Sequence, residues 1–286
     1  MPRRIAFVSI LIKLVLLAVP LRLPPPSPVK RFLRFSMVAA GAYFPVKVVW
    51  EGKEEDYAEG PFVIGYEPHS VLPQGICIFS QFAVDGVPPG LKNTRILVSS
   101  SGLWAPIMRH MWWWLGCRPV SRACFQGLLA KGRSVAVCPG GVKECLYMQR
   151  GREVAYLRKR RGFVRLALQA GAPLVPVWAF GQTDLYSYCR LFYDWPRNLI
   201  PRAAWASFVR RIGYVPLIAW GAFGSFMPKQ VPMYIVVGKP LRVPRIESPT
   251  TEQVDDHLQQ FIEALERLFA EHKEAAGQSA TTLTIY

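Results

Sequence analysis

Short apolar runs and helix-like segments alternate along most of the chain. The apolar runs have the length of buried strands and are bounded by Gly, Pro or polar residues. They are residues 62–66, 95–99, 134–138, 174–180 and 233–237. The longer segments with helical length and composition are residues 71–82, 103–115 and 158–170. This alternation predicts an α/β fold with a mainly parallel or mixed sheet flanked by helices.

The clearest helical periodicity occurs near the C-terminus, in residues 252–275. Apolar side chains recur there every three or four positions, as Val254, Leu258, Phe261, Ile262, Leu265, Leu268 and Phe269. Either Thr250 or Thr251 can cap the start of this helix with its hydroxyl oxygen. The stripe predicts a helix that packs one face against the rest of the domain.

The N-terminal region contains two apolar stretches, residues 5–23 and residues 35–50, separated by prolines at 24–26 and flanked by basic residues. A membrane-spanning helix needs roughly 20 apolar residues, and both stretches are close to that length. We therefore predict a membrane-anchoring segment over residues 1–50, with a helical hairpin as one possible form. An apolar arm packed on the domain is the alternative. Residues 51–286 then form the α/β domain.

Composition indicates a lipid partner. The chain is 51% hydrophobic, contains nine Trp, and carries 35 Lys+Arg against 19 Asp+Glu, a net charge of +16. A basic surface suits an anionic partner, and an apolar, Trp-rich chain favours membrane lipids over nucleic acid. We therefore expect no nucleic-acid partner. The six cysteines lack zinc-ligand spacing, which predicts free thiols and no metal site.

One histidine has a position typical of catalysis. His69 directly follows a predicted strand, in a loop with Glu67, Pro68 and Ser70. Functional sites in open α/β sheets gather at the carboxyl ends of strands. A neutral imidazole at such a place can take a proton from an alcohol near neutral pH. A structural histidine in a turn is the alternative.

A second loop with possible chemistry follows the strand predicted at residues 134–138. It contains Gly140 and Gly141, whose backbone can approach a ligand closely and present N–H groups to an oxyanion or phosphate. Glu144 follows, and could bind a substrate hydroxyl or orient His69. A plain tight turn explains the two glycines equally well.

Two groups of arginines are candidates for binding anionic parts of a substrate. Arg158, Arg161 and Arg165 are spaced to share one face of a helix. Arg118 and Arg122 flank a short Pro-Val-Ser segment. Guanidinium groups suit the phosphates of coenzyme A or of lipid headgroups, and a solvated positive face is the alternative.

Several motifs in a fixed order resemble those of the type-2 diacylglycerol acyltransferase family. The match covers roughly residues 40–243, and the ordered combination is much more specific than any single motif. The motifs are Tyr43-Phe44-Pro45, Glu67-Pro68-His69-Ser70, residues 139–144, Arg161-Gly162-Phe163 and Val236-Val237-Gly238-Lys239-Pro240. The Glu-Pro-His-Ser form resembles the plant and algal branch of the family.

The resemblance implies a glycerolipid-acyltransferase-like fold and an enzyme that makes triacylglycerol from diacylglycerol and acyl-CoA. It also implies the endoplasmic reticulum membrane and lipid droplets as locations, and acyl-CoA as a co-substrate without a separate cofactor. Related glycerolipid acyltransferases use a His-x-x-x-x-Asp pair, whereas Gln74 occupies the Asp position here. Glu67 and Glu144 are both candidates to replace that carboxylate.

The predicted mechanism is direct acyl transfer with His69 as the general base, and with N–H groups near Gly140 and Gly141, or a nearby side chain, stabilising the oxyanion. Substrate binding is assigned to residues around this centre. They are Ser70, Gly140, Gly141, Arg118, Arg122, Arg161 and Arg165.

Three other interpretations stay open at this point. The same chemistry could act on monoacylglycerol, a fatty alcohol or a sterol-like alcohol. A non-catalytic lipid-binding or droplet-coating protein would explain the apolar N-terminus and the charge, but not His69 and Glu144 at strand ends. A soluble nucleic-acid-binding module is the most distant interpretation. Nothing in the sequence indicates the oligomeric state.

Overall fold

A seven-stranded sheet forms the centre of the protein. The computed structural model describes residues 7–8, 19–21, 23–82, 86–92, 94–103, 108–191, 193–194, 200–212 and 215–286. The strands are β1 (Val46–Trp50), β2 (Val63–Glu67), β3 (Arg95–Val98), β4 (Cys117–Pro119), β5 (Val135–Val137), β6 (Glu153–Ala155), β7 (Leu174–Phe180), β8 (Ser187–Arg190), β9 (Leu217–Trp220), β10 (Met233–Val237) and β11 (Leu283–Ile285).

The central sheet is mixed, with the order β1-β10-β7-β2-β5-β3-β4. All neighbouring pairs are parallel except β10 and β7, which are antiparallel. Two small sheets lie outside it, a parallel pair of β11 with β6 and an antiparallel hairpin of β8 with β9. The predicted α/β class with a mainly parallel or mixed sheet is confirmed.

Helices cover both faces of the central sheet. They are α1 (Ser27–Tyr43), α2 (Met108–Trp114), α3 (Arg122–Leu129), α4 (Val142–Tyr147), α5 (Arg161–Ala170), α6 (Arg202–Ile212) and α7 (Thr251–His272). Helices α3, α5 and α7 pack on one face. The end of α1 and a 3₁₀ segment, Gln74–Phe79, pack on the other. Residues alternate between the two layers along β2, because successive side chains of a strand point to opposite faces.

Helix α7 agrees closely with the predicted C-terminal helix. The Thr250 hydroxyl accepts a hydrogen bond from the Gln253 backbone N–H, and the Gln253 side chain accepts one from the Thr250 N–H, a reciprocal capping box. The predicted apolar stripe is buried. Phe261 of that stripe packs so closely on β2 that a side chain at Gly65 would meet its ring.

The second N-terminal apolar stretch, residues 35–50, is divided between a helix and a strand. Its first part is the end of α1, and Val46–Trp50 forms β1, which pairs in parallel with β10 at the edge of the sheet. The prediction of one membrane-anchoring stretch ending at residue 50 is therefore wrong for residues 46–50, because their backbone groups pair within the central sheet. Most of residues 5–23 lies outside the described residues. Within the described part of the chain, every helix is too short or too polar to cross a bilayer.

Two predicted helices are shorter in the structure. Residues 71–82 contain the 3₁₀ segment Gln74–Phe79. Of the helix predicted over residues 103–115, Met108–Trp114 is described as α2, and residues 104–107 lie outside the described residues. Helix α5 begins at Arg161, because the N–H groups of Leu157 and Arg158 both donate to the carbonyl of Tyr286. Arg158 is therefore outside the helix, and the prediction that it shares a helix face with Arg161 and Arg165 is wrong.

Candidate active site

The loops that follow β2 and β5 meet at the carboxyl ends of these strands. The two strands are parallel neighbours, so the loop containing His69 and the loop containing Gly140 and Gly141 leave the sheet at the same edge. Ser70 has a left-handed backbone with a φ of 53°, and Gly141 has a φ of 54°. The tertiary fold thus joins the two loops that carry the predicted chemistry.

Glu67, the last residue of β2, connects the two loops. Its side chain is fully buried, and its Oε1 atom accepts a hydrogen bond of 2.9 Å from the Gly140 backbone N–H. Burial raises the pKa of Glu67 well above its usual value. The charge of Glu144 raises this pKa further, against the smaller opposing effects of the Gly140 N–H and Arg160. Glu67 therefore keeps its proton to a higher pH than an exposed glutamate does.

Glu144 is also buried and holds the loop that contains His69. Its Oε1 atom accepts a hydrogen bond from the backbone N–H of His69, and its Oε2 atom accepts one of 3.3 Å from the Tyr156 N–H. A Cβ atom at Gly140 would lie 2.3 Å from Glu144 Oε2, so only glycine allows this approach. Neither Glu67 nor Glu144 is hydrogen-bonded to the imidazole of His69.

A backbone carbonyl orients the His69 ring instead. The Nδ1 atom lies 2.9 Å from the Ser70 carbonyl oxygen, which can only accept a hydrogen bond. Nδ1 must therefore carry a proton, and in the neutral ring the lone pair is on Nε2. The Cys145 thiol donates to the same carbonyl at 3.2 Å, and its sulfur lies 3.5 Å from Nδ1.

The protonated form of His69 is stabilised by its neighbours. Burial alone would lower the pKa of His69, but Cys145, Glu144 and the Ser70 carbonyl together outweigh burial and raise it from 6.5 to about 9. Nε2 of His69 must therefore lose its own proton before it can accept a proton from an alcohol.

His69 lies on the wall of a large cavity of about 1810 Å³. Residues from both faces of the sheet and from α1 line this cavity, and its walls are mainly apolar. The apolar walls include Met37, Phe44, Val46, Val48, Trp50, Leu72, Ile76, Ile78, Ile96, Val98, Trp112, Phe125, Val137 and Met233. Such a cavity is larger than most pockets for small molecules, roughly 300–1,000 Å³, and suits long alkyl chains.

Cations surround one part of the same cavity. They come from the start of α3, from α4, from α5 and from the segment before α5, and they are Arg122, Lys143, Lys159, Arg160, Arg161 and Arg165. Within the described residues, the cavity wall includes no Asp or Glu. One cavity thus combines an apolar interior, a histidine and a cationic region.

Comparison with known proteins agrees with this geometry. Residues 28–286 match the family model described as diacylglycerol acyltransferase. The chain belongs to the diacylglycerol acyltransferase family. It is 34% identical to human 2-acylglycerol O-acyltransferase 3, over 84% of this chain and 72% of that protein.

A second human relative is acyl-CoA wax alcohol acyltransferase 2, which is 32% identical over 84% of this chain and 73% of that protein. A third is human diacylglycerol O-acyltransferase 2, which is 30% identical over 84% of this chain and 63% of that protein. The protein is therefore an acyltransferase, which supports an enzyme over the non-catalytic lipid-binding interpretation. Assignment to the plant and algal branch stays a prediction.

The predicted site residues of this acyltransferase fall into two groups. The first group lines the cavity and consists of His69, Gly141, Arg122, Arg161 and Arg165. The second group does not line it and consists of Glu67, Glu144, Ser70, Gly140 and Arg118.

The members of the second group have other contacts. Ser70 is buried beside a separate polar cavity of about 280 Å³. The Arg118 guanidinium stacks 3.7 Å above the Trp113 ring and donates to the Trp113 and Cys117 carbonyls. The Gly140 N–H cannot donate a hydrogen bond to an oxyanion, because it already donates to Glu67.

Two residues of this acyltransferase's site were missed at the sequence level. Arg160 lines the cavity, donates to the Gly140 carbonyl and lies over the Tyr156 ring. Its only sequence signal is the basic run at residues 158–161. Cys145 contacts His69 across 76 positions of sequence, and no local pattern distinguishes it from the other five thiols.

Proposed function

We propose that this acyltransferase transfers a fatty acyl group from acyl-CoA to the free hydroxyl of diacylglycerol, releasing triacylglycerol and CoA. The observation that carries the proposal is the position of His69. Its ring lies on the wall of the large apolar cavity, and its Nδ1 proton is held by the Ser70 carbonyl. This leaves Nε2 as the nitrogen that can serve as a base.

The cavity supports the choice of substrates. Both substrates carry long alkyl chains, which the apolar walls can remove from water. The phosphates of acyl-CoA can bind the cationic part of the wall, where Arg122 and Lys159 are the most accessible candidates. Arg161 is paired with Asp255, and Arg165 donates to the Pro249 carbonyl, so both are partly engaged within the protein.

The proposed step is direct and forms no acyl-enzyme. Nε2 of neutral His69 takes the hydroxyl proton while the hydroxyl oxygen attacks the thioester carbonyl carbon. The new C–O bond forms, the C–S bond breaks, and the imidazolium returns its proton to the departing CoA thiolate. General-base help of this kind is typically worth ~10²–10⁴-fold in rate.

The oxyanion that forms during the step needs a hydrogen-bond donor or a positive charge. Gly140 is excluded because its N–H is bound to Glu67. The Gly141 backbone N–H and the Arg160 guanidinium remain, since both residues line the cavity beside His69. Glu67 and Glu144 are positioning residues in this proposal, because they hold the two loops and do not touch the ring.

Monoacylglycerol and fatty alcohols are alternative acceptors. This possibility is supported by the names of two relatives, a 2-acylglycerol acyltransferase and a wax alcohol acyltransferase. We also propose that the enzyme acts at the endoplasmic reticulum membrane and lipid droplets, where substrates of this kind are dissolved, with acyl-CoA as a co-substrate and no further cofactor.

The test is expression of the full chain in cells that lack neutral-lipid synthesis, followed by mass spectrometry of the lipids. We expect triacylglycerol with the wild-type chain and its near-complete loss with His69→Ala. His257→Ala is the matched control, because that ring is hydrogen-bonded to the Gln253 carbonyl on α7 and does not line the cavity. Wax esters without triacylglycerol would indicate an alcohol acceptor, and full activity of His69→Ala would remove the base from the mechanism.

A further inference from the structure

The segment between β9 and β10 carries the most exposed aromatic side chains of the described structure. Phe223 is 99% exposed, Phe226 is 80% exposed, and Met227 is about half exposed. The tip, residues 222–227, contains no charged residue. Exposing two phenylalanines to water is unfavourable, so such a tip indicates a surface that is covered by an apolar partner.

The backbone of this tip is closed on itself. The N–H groups of Gly221 and Ala222 donate to the Ser225 and Met227 carbonyls, and those of Ser225 and Met227 donate to the Ala222 carbonyl and the Ser225 hydroxyl. These internal bonds reduce the cost of moving backbone polar groups into an apolar phase. A protein partner does not require this property, whereas a hydrocarbon layer does.

The tip also has a conformation that presents its aromatic rings outward. Phe223 has a φ of 55°, a left-handed backbone that a bulky residue rarely adopts. A Cβ atom at Gly221 would lie 1.9 Å from the Met227 carbonyl oxygen, so the tight closure depends on glycine. Strained conformations of this kind concentrate where function requires them.

The tip is joined to the wall of the large cavity. The Tyr43 hydroxyl at the end of α1 donates to the Pro228 carbonyl, and the Tyr186 hydroxyl donates to the Phe226 carbonyl. Tyr186 in turn accepts a hydrogen bond from Gln74, which lines the cavity. Residues of α1, among them Met37 and Gly41, line the same cavity.

Helix α1 has the surface expected beside a bilayer. It exposes Phe32, Phe35 and Val38, together with the cations Lys30, Arg31 and Arg34. Exposed cations next to exposed apolar side chains suit anionic headgroups above hydrocarbon. Helix α1 contains no Asp or Glu.

From these observations we infer that the loop Gly221–Pro228 is a second membrane contact, whose tip inserts Phe223 and Phe226 into the bilayer beside α1. This contact would hold the α1 side of the cavity against the bilayer, so that a lipid substrate can enter without crossing water. The inference extends the proposed function but does not depend on acyl transfer or on the acceptor alcohol.

Photocrosslinking of the full chain tests the contact directly. p-Benzoylphenylalanine replaces Phe223, which preserves an aromatic ring there, and the purified protein is irradiated with vesicles of phosphatidylcholine and phosphatidylserine. The matched control carries the same amino acid at Gln260, an exposed position of α7 on the opposite side of the sheet. We expect phospholipid adducts by mass spectrometry at position 223 and none at position 260.

The alternatives give different products. Crosslinks between two copies of the chain would show that the tip is a dimer interface, and the absence of lipid adducts at position 223 would show that it stays in water. Either result overturns the inference. The same experiment in a His69→Ala background requires no turnover, so its outcome is independent of the proposed chemistry.

A partition measurement provides a second test. Phe223→Ser/Phe226→Ser should bind these vesicles at least about tenfold more weakly than Phe223→Leu/Phe226→Leu, because each buried aromatic side chain contributes substantially to transfer from water. Equal binding of the two double variants would contradict insertion of the tip.

Discussion

The Oε1 atom of Glu67 accepts a hydrogen bond from the backbone N–H of Gly140, at 2.9 Å. This contact connects the ends of β2 and β5 without touching the imidazole of His69. The carboxyl group nearest in sequence to the histidine thus shapes the site and does not serve as its proton relay.

Glu67→Gln should preserve the fold. Glutamine keeps an acceptor for the Gly140 N–H and introduces no charge at this buried position. Glu67→Ala leaves the buried Gly140 N–H without an acceptor, which costs about 1–3 kcal/mol. Denaturant unfolding at neutral pH measures both variants, and an equal loss of stability for the two would contradict a stabilising role of the Glu67–Gly140 hydrogen bond.

The same residue should make the unfolding free energy depend on pH. The native state keeps the Glu67 proton above pH 4.5, where the unfolded chain has lost it, so stability falls as pH rises from 4.5 toward the raised native pKa. Glu67→Gln removes this contribution. Unfolding measured from pH 5 to pH 8 should therefore show a weaker decline with pH for the variant than for the wild type.

The pH profile of acyl transfer should report on His69. In the proposed mechanism the neutral form of His69 is the base, and the pKa of His69 is raised to about 9, so kcat/KM should increase with pH up to about 9. Cys145→Ala removes a major cause of the shift and should move the rise toward lower pH. Cys124→Ala is the control, because the Cys124 thiol does not line the cavity. A rise of kcat/KM near pH 6.5 in the wild type would show that the groups around His69 do not stabilise its protonated form.

The cations of the cavity wall should control acyl-CoA binding. Arg122→Ala and Lys159→Ala should raise KM for acyl-CoA with little change in kcat, because each removes a charge that faces the cavity in the ground state and the transition state alike. Lys131→Ala, beyond the other end of α3, is the matched control. The effect should weaken with added salt, and a loss confined to kcat would contradict a binding role.

Two glycines should respond oppositely to alanine. A Cβ atom at Gly65 would lie 2.4 Å from the Phe261 ring, so Gly65→Ala should destabilise the protein by ~1–3 kcal/mol through overpacking. Gly127 lies inside α3, and a Cβ atom there would meet no other group within 4 Å, so Gly127→Ala should stabilise by ~0.5–1 kcal/mol. Thermal unfolding of both variants checks the sign of each change.

Much of the fold could be predicted from periodicity. The strands at residues 174–180 and 233–237 and the helix α7 agree with their predicted ranges, because they are long, apolar and bounded by Gly, Pro or a capping residue. The short strands β4, β6 and β11 could not be predicted in this way. Each has three residues and lies outside the apolar runs, and β6 pairs with β11 from the far end of the chain.

The strand β1 shows why an apolar run is ambiguous. Residues 35–50 satisfy the composition of a membrane stretch, yet Val46–Trp50 pairs with β10 almost two hundred positions later in the chain. Whether apolar residues face lipid or a neighbouring strand depends on which partner buries them, and local hydrophobicity is the same in both cases.

By itself, the sequence determined the α/β class and the family and singled out His69 as the candidate base, because these depend on local periodicity and on motifs in a fixed order. Only the tertiary structure decided that a carbonyl orients His69, that two buried glutamates hold backbone N–H groups, and that Arg160 and Cys145 belong to the site. Those relations depend on directions and distances of about 3 Å between segments distant in sequence, which no local pattern encodes.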